Sequence, residues 1–459
     1  MYMYDTIAAI SSAPGEGGIG IIRISGEEAI SISQGIFRSK SGKNIDQYSP
    51  RTMVYGNIFS GDDVVDEALV VYMKGPNSYT KEDVVEINCH GGYVSLKRIL
   101  QLVLKGGARI SEPGEFTKRA FLNGRLDLSQ AEAVMDVIRA RTESSHKEAQ
   151  KQLEGSLSES IKDLRMKVSE ILAHVTVSLD FPEEDIEEIT MGVLREKTQG
   201  LIGDMEELQR TSQTGKILRD GLKTVIVGKP NVGKSSLLNA MLKEARAIVT
   251  DIAGTTRDII EEFISIRGIP LKLIDTAGIR DTQDIVERMG VERTKGIFEQ
   301  ADLIILVIDS SVPLSKEDIE IMDMAKGRNC IVLINKIDLE PAVSEEEIRQ
   351  HMSDKKIIRV SALESRGTED IEDEIENMVY SGEVTQNSNV MLTNVRHIDA
   401  LQKAIDSAKE CLNGIDSEVP MDFVEIDLKN VWDYLGEITG ETVSEDLLDV
   451  IFSQFCIGK

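Results

Sequence analysis

The segment Gly228-Lys229-Pro230-Asn231-Val232-Gly233-Lys234-Ser235 constrains this chain more than any other, because of what flanks it. It follows the apolar run Thr224-Val225-Ile226-Val227 and leads into the helix-like Ser236-Leu237-Leu238-Asn239-Ala240-Met241-Leu242. A strand, a G-x-x-x-x-G-K-[ST] loop and a helix together predict a phosphate cradle. The glycines let backbone N–H groups close on phosphate oxygens, Lys234 supplies a neutralising ammonium, and Ser235 Oγ is placed to ligate Mg²⁺. Asn231, Val232, Gly233 and Ser236 belong to the same expected contact set.

Three later segments point to guanine. Asp275-Thr276-Ala277-Gly278 ends the run Leu271-Lys272-Leu273-Ile274, where a carboxylate suits the second shell of magnesium and Gly278 N–H suits a γ-phosphate. Asn335-Lys336-Ile337-Asp338 ends the buried-looking run Cys330-Ile331-Val332-Leu333-Ile334. The Asp338 carboxylate can accept from guanine N1 and N2, a donor pair that adenine lacks, and left unpaired it would penalise ATP. Ser361-Ala362, after Ile357-Ile358-Arg359-Val360, fits a backbone contact to guanine O6. In this order, each at a strand end, the segments resemble the translation-factor-related class of small GTPases.

Between loop and Asp275 lies Thr250-Asp251-Ile252-Ala253-Gly254-Thr255-Thr256-Arg257-Asp258, which resembles a switch I segment, with Thr256 as the second protein oxygen on Mg²⁺ when a γ-phosphate is present. Where Ras-like enzymes carry a water-orienting glutamine, this chain has Ile279, which cannot orient water. A GTPase subfamily with asparagine at the position of Asn231 uses K⁺ where others use an arginine finger. The resemblance implies K⁺ held by Asn231, with oxygens from Thr250, Ile252 and Thr255, offsetting charge between the β and γ phosphates. Glu287 is then the candidate for positioning water indirectly, although its chemistry alone also fits a solvated helix-end carboxylate.

A length of 459 residues suggests about three domains. The nucleotide motifs fill residues 222–380, leaving a C-terminal tail of about 80 residues that buries a core poorly alone and is expected to pack on helices of the other flank. Net charge is −27, from 52 basic and 79 acidic residues, and only 4% are aromatic, so general phosphate attraction and base stacking are poorly supplied. RNA would need a local patch or a basic partner. Cys89, Cys330, Cys411 and Cys456 show no C-x-x-C spacing, which suits a reducing cytosol and gives no zinc site. The N-terminus lacks a signal-like pattern and the apolar stretch Leu303 to Ile308 is too short to span a bilayer, so a soluble cytoplasmic protein is expected.

In the N-terminal flank, Gly15-Glu16-Gly17-Gly18-Ile19-Gly20 matches G-x-G-x-x-G but precedes a strand-like run instead of a helix, which excludes a dinucleotide fingerprint and predicts a tight turn whose backbone approaches a neighbour. Strands at Glu67 to Met73 and Asp83 to Asn88 and a helix at Tyr93 to Lys105 predict a small α/β domain ending near Arg119. From Asp127 the period is helical, with Ala131, Val134, Ile138 and later Leu153, Leu157, Ile161, Leu164, Val168 and Leu172 as a core stripe. Gln213 to Gly221 reads as an entry linker. Helical patterns return at Ile398 to Leu412 and Glu445 to Phe455, divided by polar turns near Gly414.

Gly75-Pro76-Asn77-Ser78-Tyr79-Thr80-Lys81-Glu82-Asp83-Val84-Val85-Glu86-Ile87-Asn88-Cys89-His90-Gly91-Gly92, then Glu112-Pro113-Gly114-Glu115-Phe116-Thr117-Lys118-Arg119-Ala120-Phe121-Leu122-Asn123-Gly124-Arg125-Leu126-Asp127-Leu128, and the last residues Cys456-Ile457-Gly458-Lys459, closely resemble the bacterial tRNA-uridine-modifying GTPases of the MnmE (TrmE) family. The resemblance implies an α/β multidomain chain: a folate-binding-like α/β dimerisation domain (1–119), a helical domain (120–221 and 381–459), and a Ras-like P-loop GTPase domain, mostly parallel in its sheet, inserted into it (222–380). It implies a tetrahydrofolate derivative (5-formyl or 5,10-methylene) held near Arg23, Glu86, Arg125 and Lys459, with Arg125 where relatives carry lysine. Cys456 becomes a candidate nucleophile or acid near the one-carbon unit, though a terminal cysteine can simply pack.

The implied activity is K⁺-dependent GTP hydrolysis coupled to aminomethyl or carboxymethylaminomethyl addition at C5 of the wobble uridine (U34) of certain tRNAs. The implied partners are a second copy in a homodimer, the flavin-dependent MnmG (GidA) in a heterotetramer, and tRNA. An Era-like ribosome-assembly GTPase is the alternative, but it needs an RNA-binding module, and no basic G-x-x-G loop follows Tyr380.

Overall fold

The computed structural model describes residues 5–13, 15–180, 187–244, 262–274, 291–380 and 390–459, which form two compact units. The first takes in the chain up to Met135 and the C-terminal segment from Asp433. Its seven-stranded sheet has the order β3-β4-β5-β6-β2-β1-β7, formed by β1 (Ile7–Ile10), β2 (Gly17–Ser25), β3 (Phe37–Ser39), β4 (Met53–Ser60), β5 (Asp63–Met73), β6 (Val84–Gly91) and β7 (Arg109–Ile110). Alternation sends Ile22, Ile24, Val70, Val85 and Ile87 to one face, where Leu96, Ile99 and Val103 of the helix Tyr93–Lys105 close the core. On the strands, Ile19, Met53, Tyr55 and Leu69 stay exposed, with Tyr55 and Leu69 opposite each other across β4 and β5.

The glycines at 15–20 are a correction to the expected turn. Only Gly15, at φ +134°, has turn geometry; β2 starts at Gly17, with an irregular register against β6 between Gly17 and Gly20. A Cβ on Gly20 would lie 2.7 Å from the Leu96 side chain, and one on Gly91 would lie 2.4 Å from Gly17 O. The missing side chains let a helix and a strand press on this backbone, so close approach outweighs the weak strand propensity of glycine.

The tail does pack on the earlier flank. Leu448, Ile451, Phe452 and Phe455 cluster with Leu128, Ala131 and Met135, and Gly114 admits the tail because a Cβ there would sit 2.6 Å from Phe452 O. Beneath them Arg119, only 5% exposed, reaches Asp5 at 2.7 Å, Glu115 at 3.0 Å and Glu82 at 3.2 Å. Arg109 holds Glu115 at 2.6 Å and Asp5 at 2.7 Å.

The second unit runs from Asp136 to Trp432. Its six-stranded sheet has the order β13-β12-β11-β8-β10-β9, from β8 (Leu222–Val227), β9 (Glu262–Ile266), β10 (Ile269–Leu273), β11 (Leu303–Asp309), β12 (Cys330–Asn335) and β13 (Lys356–Arg359). Only the β9–β10 pair is antiparallel. Every residue of β11 and β12 is buried, as expected for parallel strands covered on both faces. The chain leaves β8 toward β9 and β10 on one side and returns to β11 on the other, so the loop after β8 stands at a topological switch point.

Helices Glu143–Glu154, Ser156–Asp180, Glu187–Arg210 and Val395–Asp416 make the helical part, and Leu157, Ile161, Leu164 and Val168 of the predicted stripe are buried in it, whereas Ile138, near the end of the helix Leu128–Arg139, is exposed. Two sequence expectations need correction. Gln213 to Gly221 is no linker: the helix Ser212–Asp220 occupies it, with Thr214 Oγ1 donating to Val379 O at 2.8 Å and Gly215 so close to Leu392 that a Cβ would lie 2.1 Å from its carbonyl oxygen. Gly414 is no turn either. The helix Val395–Asp416 runs through it, and a further helix, Met421–Thr439, follows with Val424, Leu428, Val431, Leu435 and Ile438 buried at helical spacing.

The arginine–carboxylate cluster generates a pH prediction. The Arg109 guanidinium holds the Asp5 carboxyl below the usual carboxylate range. Burial alone would raise Glu115, but Arg109, the Glu112 N–H and Arg119 outweigh it and bring it below its ordinary value. Such groups add stability that is present above the unfolded carboxylate pKa and lost as pH falls through the folded one. Chemical denaturation should therefore show stability falling from about pH 5 toward pH 3, with a shallower fall in Glu115→Gln. An unchanged slope in that variant would show that the cluster does not set acid stability.

Candidate functional site

The loop after β8 is held in a shape few side chains tolerate. Gly228 (φ +147°), Asn231 (φ +64°) and Gly233 (φ +100°) all lie in the positive-φ region. A Cβ on Gly228 would fall 2.3 Å from Val307 O of β11, and one on Gly233 would fall 2.2 Å from Asn335 Nδ2 of β12. The glycines are thus required by neighbours as well as by φ. The helix Lys234–Glu244 starts directly afterwards, placing Ser235 and Ser236 in its first turn and burying Val232 at its entrance. Lys234 Nζ donates to Gly228 O and Lys229 O, both at 2.7 Å, and burial pulls its pKa below the ordinary lysine value.

Asn335, at the end of β12, joins two of the predicted motifs. Its Nδ2 donates to Val232 O at 2.7 Å inside the phosphate loop, and its Oδ1 accepts from Ala362 N at 3.0 Å. Ser361 Oγ donates to Asp338 Oδ1 at 2.5 Å, and Ile337 N donates to Val360 O. Lys336 sits at φ +66° and pairs with Asp309 Oδ2 at 2.5 Å. Burial would raise Asp309, but Lys336 and Ser311 outweigh it and lower its pKa. The structure therefore gathers Asn231 to Ser236, Asn335, Lys336, Asp338, Ser361 and Ala362 around the ends of β8, β12 and β13. Thr250, Asp251, Ile252, Ala253, Gly254, Thr255, Thr256, Asp275, Thr276, Ala277, Gly278 and Glu287 lie outside the described residues.

Sequence reasoning passed over Asp309 and Ser310, which close β11 as Asn335 closes β12. Ser310 Oγ donates to Lys336 O at 2.9 Å, and Ser310 N donates to Asn335 O at 2.9 Å. The signal was available: a polar pair following the apolar run Leu303 to Ile308 at the same strand end as the other motifs.

A second cluster lies in the first unit. Arg23 and Glu86 face each other across β2 and β6, with Arg23 Nε donating to Glu86 Oε1 at 2.8 Å. The Arg23 guanidinium lies 5.3 Å from the Tyr79 ring centre and that of Arg125 lies 4.6 Å from it, so one ring serves two cations. Arg125 Nη1 also donates to Tyr79 O at 3.2 Å, and Tyr79 Oη meets Thr117 Oγ1 at 2.9 Å. Arg23 Nη1 donates to Gly458 O at 3.3 Å. Gly458, at φ +88°, brings the terminal segment against β1, where a Cβ would stand 2.5 Å from Ile10 O. Cys456 is exposed, and its carbonyl oxygen accepts from Gly114 N and Lys459 N. Arg23, Glu86, Arg125 and the Lys459 backbone are thus neighbours through Tyr79 and Gly458. Tyr79 itself was inside a quoted motif yet carried no assigned role.

With the geometry in hand, comparison with known proteins is specific. The family described as GTP-binding protein TrmE N-terminus matches residues 6–125, and the MnmE helical domain family matches residues 128–456. A protein of Clostridioides difficile (strain 630) named tRNA modification GTPase MnmE is 61% identical over 459 residues, covering all of both chains. Proteins of the same name are 56% identical in Alkaliphilus oremlandii (strain OhILAs), covering all of both chains, and 50% identical in Bacillus subtilis (strain 168), covering 99% of this chain and all of the relative. The matched segments span both units and the residues of both clusters, and the chain belongs to the MnmE family of tRNA modification GTPases.

Proposed function

We propose that this chain binds GTP on the loop Gly228 to Ser235, hydrolyses it in a K⁺-dependent manner, and uses that cycle, with a flavin- and NADH-using partner, to support aminomethyl or carboxymethylaminomethyl addition at C5 of wobble uridine U34. The observation that carries the nucleotide reading is Asn335, whose one amide group touches both the phosphate loop at Val232 and the base-side Ala362. Full-length kinship favours this reading over the Era-type alternative. The domain limits 1–119, 120–221, 222–380 and 381–459 belong to the same proposal.

Of the residues this reading assigns to the ions and the cofactor, the described ones are Asn231 and Ser235 at the loop and Arg23, Glu86, Arg125, Cys456 and Lys459 in the first unit. A side chain at Gly228 would strike Val307 O and one at Gly233 would strike Asn335 Nδ2, so glycine lets the loop keep the backbone shape that turns N–H groups toward a phosphate. Ser235 and Thr256 would hold Mg²⁺, and Asn231, Thr250, Ile252 and Thr255 would hold K⁺. The ions, when bound, offset charge on the phosphates. Lys234, moved from Gly228 O and Lys229 O onto phosphate oxygens, would regain a charged partner for its buried ammonium. Asp338, oriented by Ser361, would accept from guanine N1 and N2, Asp275 would suit the second shell of magnesium, Gly278 would suit the γ-phosphate, and Glu287 would position water indirectly. In the first unit, Arg23, Arg125 and Lys459 suit the carboxylates of a tetrahydrofolate one-carbon derivative, Glu86 suits its amino-pteridine, and exposed Cys456 is the candidate nucleophile or acid.

The approach of Gly268 to Ser144 supports coupling of the β9–β10 turn to the helix Glu143–Glu154. The β9–β10 turn is clamped to the helix Thr368–Val379 by Arg267, which pairs with Glu376 at 2.7 Å and with Asp373, and Gly268 lies where a Cβ would meet Ser144 Oγ at 2.2 Å. The exposed sheet residues Met53, Tyr55 and Leu69 support homodimer contacts by the N-terminal domain. The net charge of −27 supports delivery of tRNA by the partner, MnmG in the family, instead of by this chain alone. Among the described residues no helix is long and apolar enough to cross a membrane, in keeping with a proposed cytoplasmic location.

Two measurements test the core of the proposal. Asp338→Asn should weaken GTP by about 100-fold or more and favour xanthosine triphosphate, read by equilibrium nucleotide binding. Unchanged GTP affinity removes the base assignment. Replacing K⁺ by Na⁺ in a steady-state hydrolysis assay should slow turnover by about tenfold or more; equal rates remove the role given to Asn231.

A further inference from the structure

We propose that Asp318 is a positioning residue of the phosphate loop, acting through Lys229, an inference that rests on the GTP reading above. Asp318 lies in the first turn of the helix Lys316–Ala325 and is 3% exposed. Its Oδ2 accepts from Ser315 N at 2.8 Å and Ser315 Oγ at 2.9 Å, which is the ordinary work of a capping residue. The same carboxylate also stands 2.6 Å from Lys229 Nζ, and Lys229 is the second residue of the phosphate loop. A helix cap has no need of a lysine from another element, so this contact calls for a separate account.

Lys229 lies between Gly228 and Asn231, two of the positive-φ positions, and its carbonyl oxygen is one of the two that receive Lys234 Nζ. Its own ammonium is committed to Asp318. A buried carboxylate strongly favours keeping a cation beside it, so the pair fixes where Lys229 backbone sits and with it the approach of Lys234. Asn335 grips the loop from β12 at Val232, and Asp318 grips it from the helix after β11 at Lys229. The cradle is thus held at two points by side chains outside it. Ligand binding then need not organise the loop, which favours both GDP and GTP alike.

The test compares affinities for GDP and a non-hydrolysable GTP analogue with thermal midpoints in the full chain. Asp318→Asn and Lys229→Met should each weaken both nucleotides by about tenfold, the double variant should lose no more than the weaker-binding single, and Lys229→Arg should stay within about threefold of wild type. Ser315→Ala, which takes away a cap hydroxyl and leaves the Lys229 pair, should lower the midpoint while leaving affinity within about threefold. Additive losses in the double variant, or an affinity loss in Ser315→Ala matching its loss of stability, would overturn the proposal. Wild-type protein that binds no guanine nucleotide overturns the GTP reading itself, whereas wild-type binding with unaffected Asp318 and Lys229 variants overturns this inference alone.

Discussion

The Asn335 amide holds the phosphate loop by its Val232 carbonyl, across 2.7 Å, while the loop's own backbone runs through three positive-φ positions. An asparagine in that region, such as Asn231, costs on the order of 1 kcal/mol, and a buried hydrogen bond returns a similar amount. The loop therefore keeps its shape because neighbouring elements impose it. Everything chemical in this half of the molecule follows from that constraint. Lys234 is half-buried and turned inward, Gly233 has no room for a side chain, and the helix Lys234–Glu244 begins at the required point.

A consequence is that the groups proposed for the base and those proposed for the phosphates are not independent. Asn335 also fixes Ala362 N, Ser361 fixes Asp338, and Ser310 fixes both Lys336 O and Asn335 O. The fully buried strands β11 and β12 make this possible, since their ends are placed by a sheet covered on both faces. The first unit applies the same logic with different parts. The cross-strand pair Arg23–Glu86 is built into β2 and β6, and the remote tail is drawn in by Gly458 and by the Phe452 cluster.

Much of this was legible in the residues. Gly228 and Gly233 announced the loop because no other residue fits their φ and their neighbours, and the apolar runs before Asn335 and Ser361 are strands as read. Arg23, Glu86 and Arg125 were named from family resemblance; Arg23 pairs with Glu86, and Arg125 lies on the Tyr79 ring that Arg23 also faces. Other features carry no local signature. The helix Ser212–Asp220 has a glycine where Leu392 presses on it, so its packing depends on a residue far along the chain. Asp318 looks like a helix cap because it is one, and its hold on Lys229 appears only when two distant segments are folded together. Tyr79 is unremarkable as a tyrosine until two arginines converge on it.

The most direct test is to measure GTP and inorganic triphosphate binding side by side in wild type and Asn335→Ala. If the Asn335 amide braces the cradle, the variant weakens inorganic triphosphate, which has no base, as well as GTP. A variant that loses GTP while holding inorganic triphosphate at wild-type affinity would show that Asn335 serves the base alone, and the loop would not depend on it.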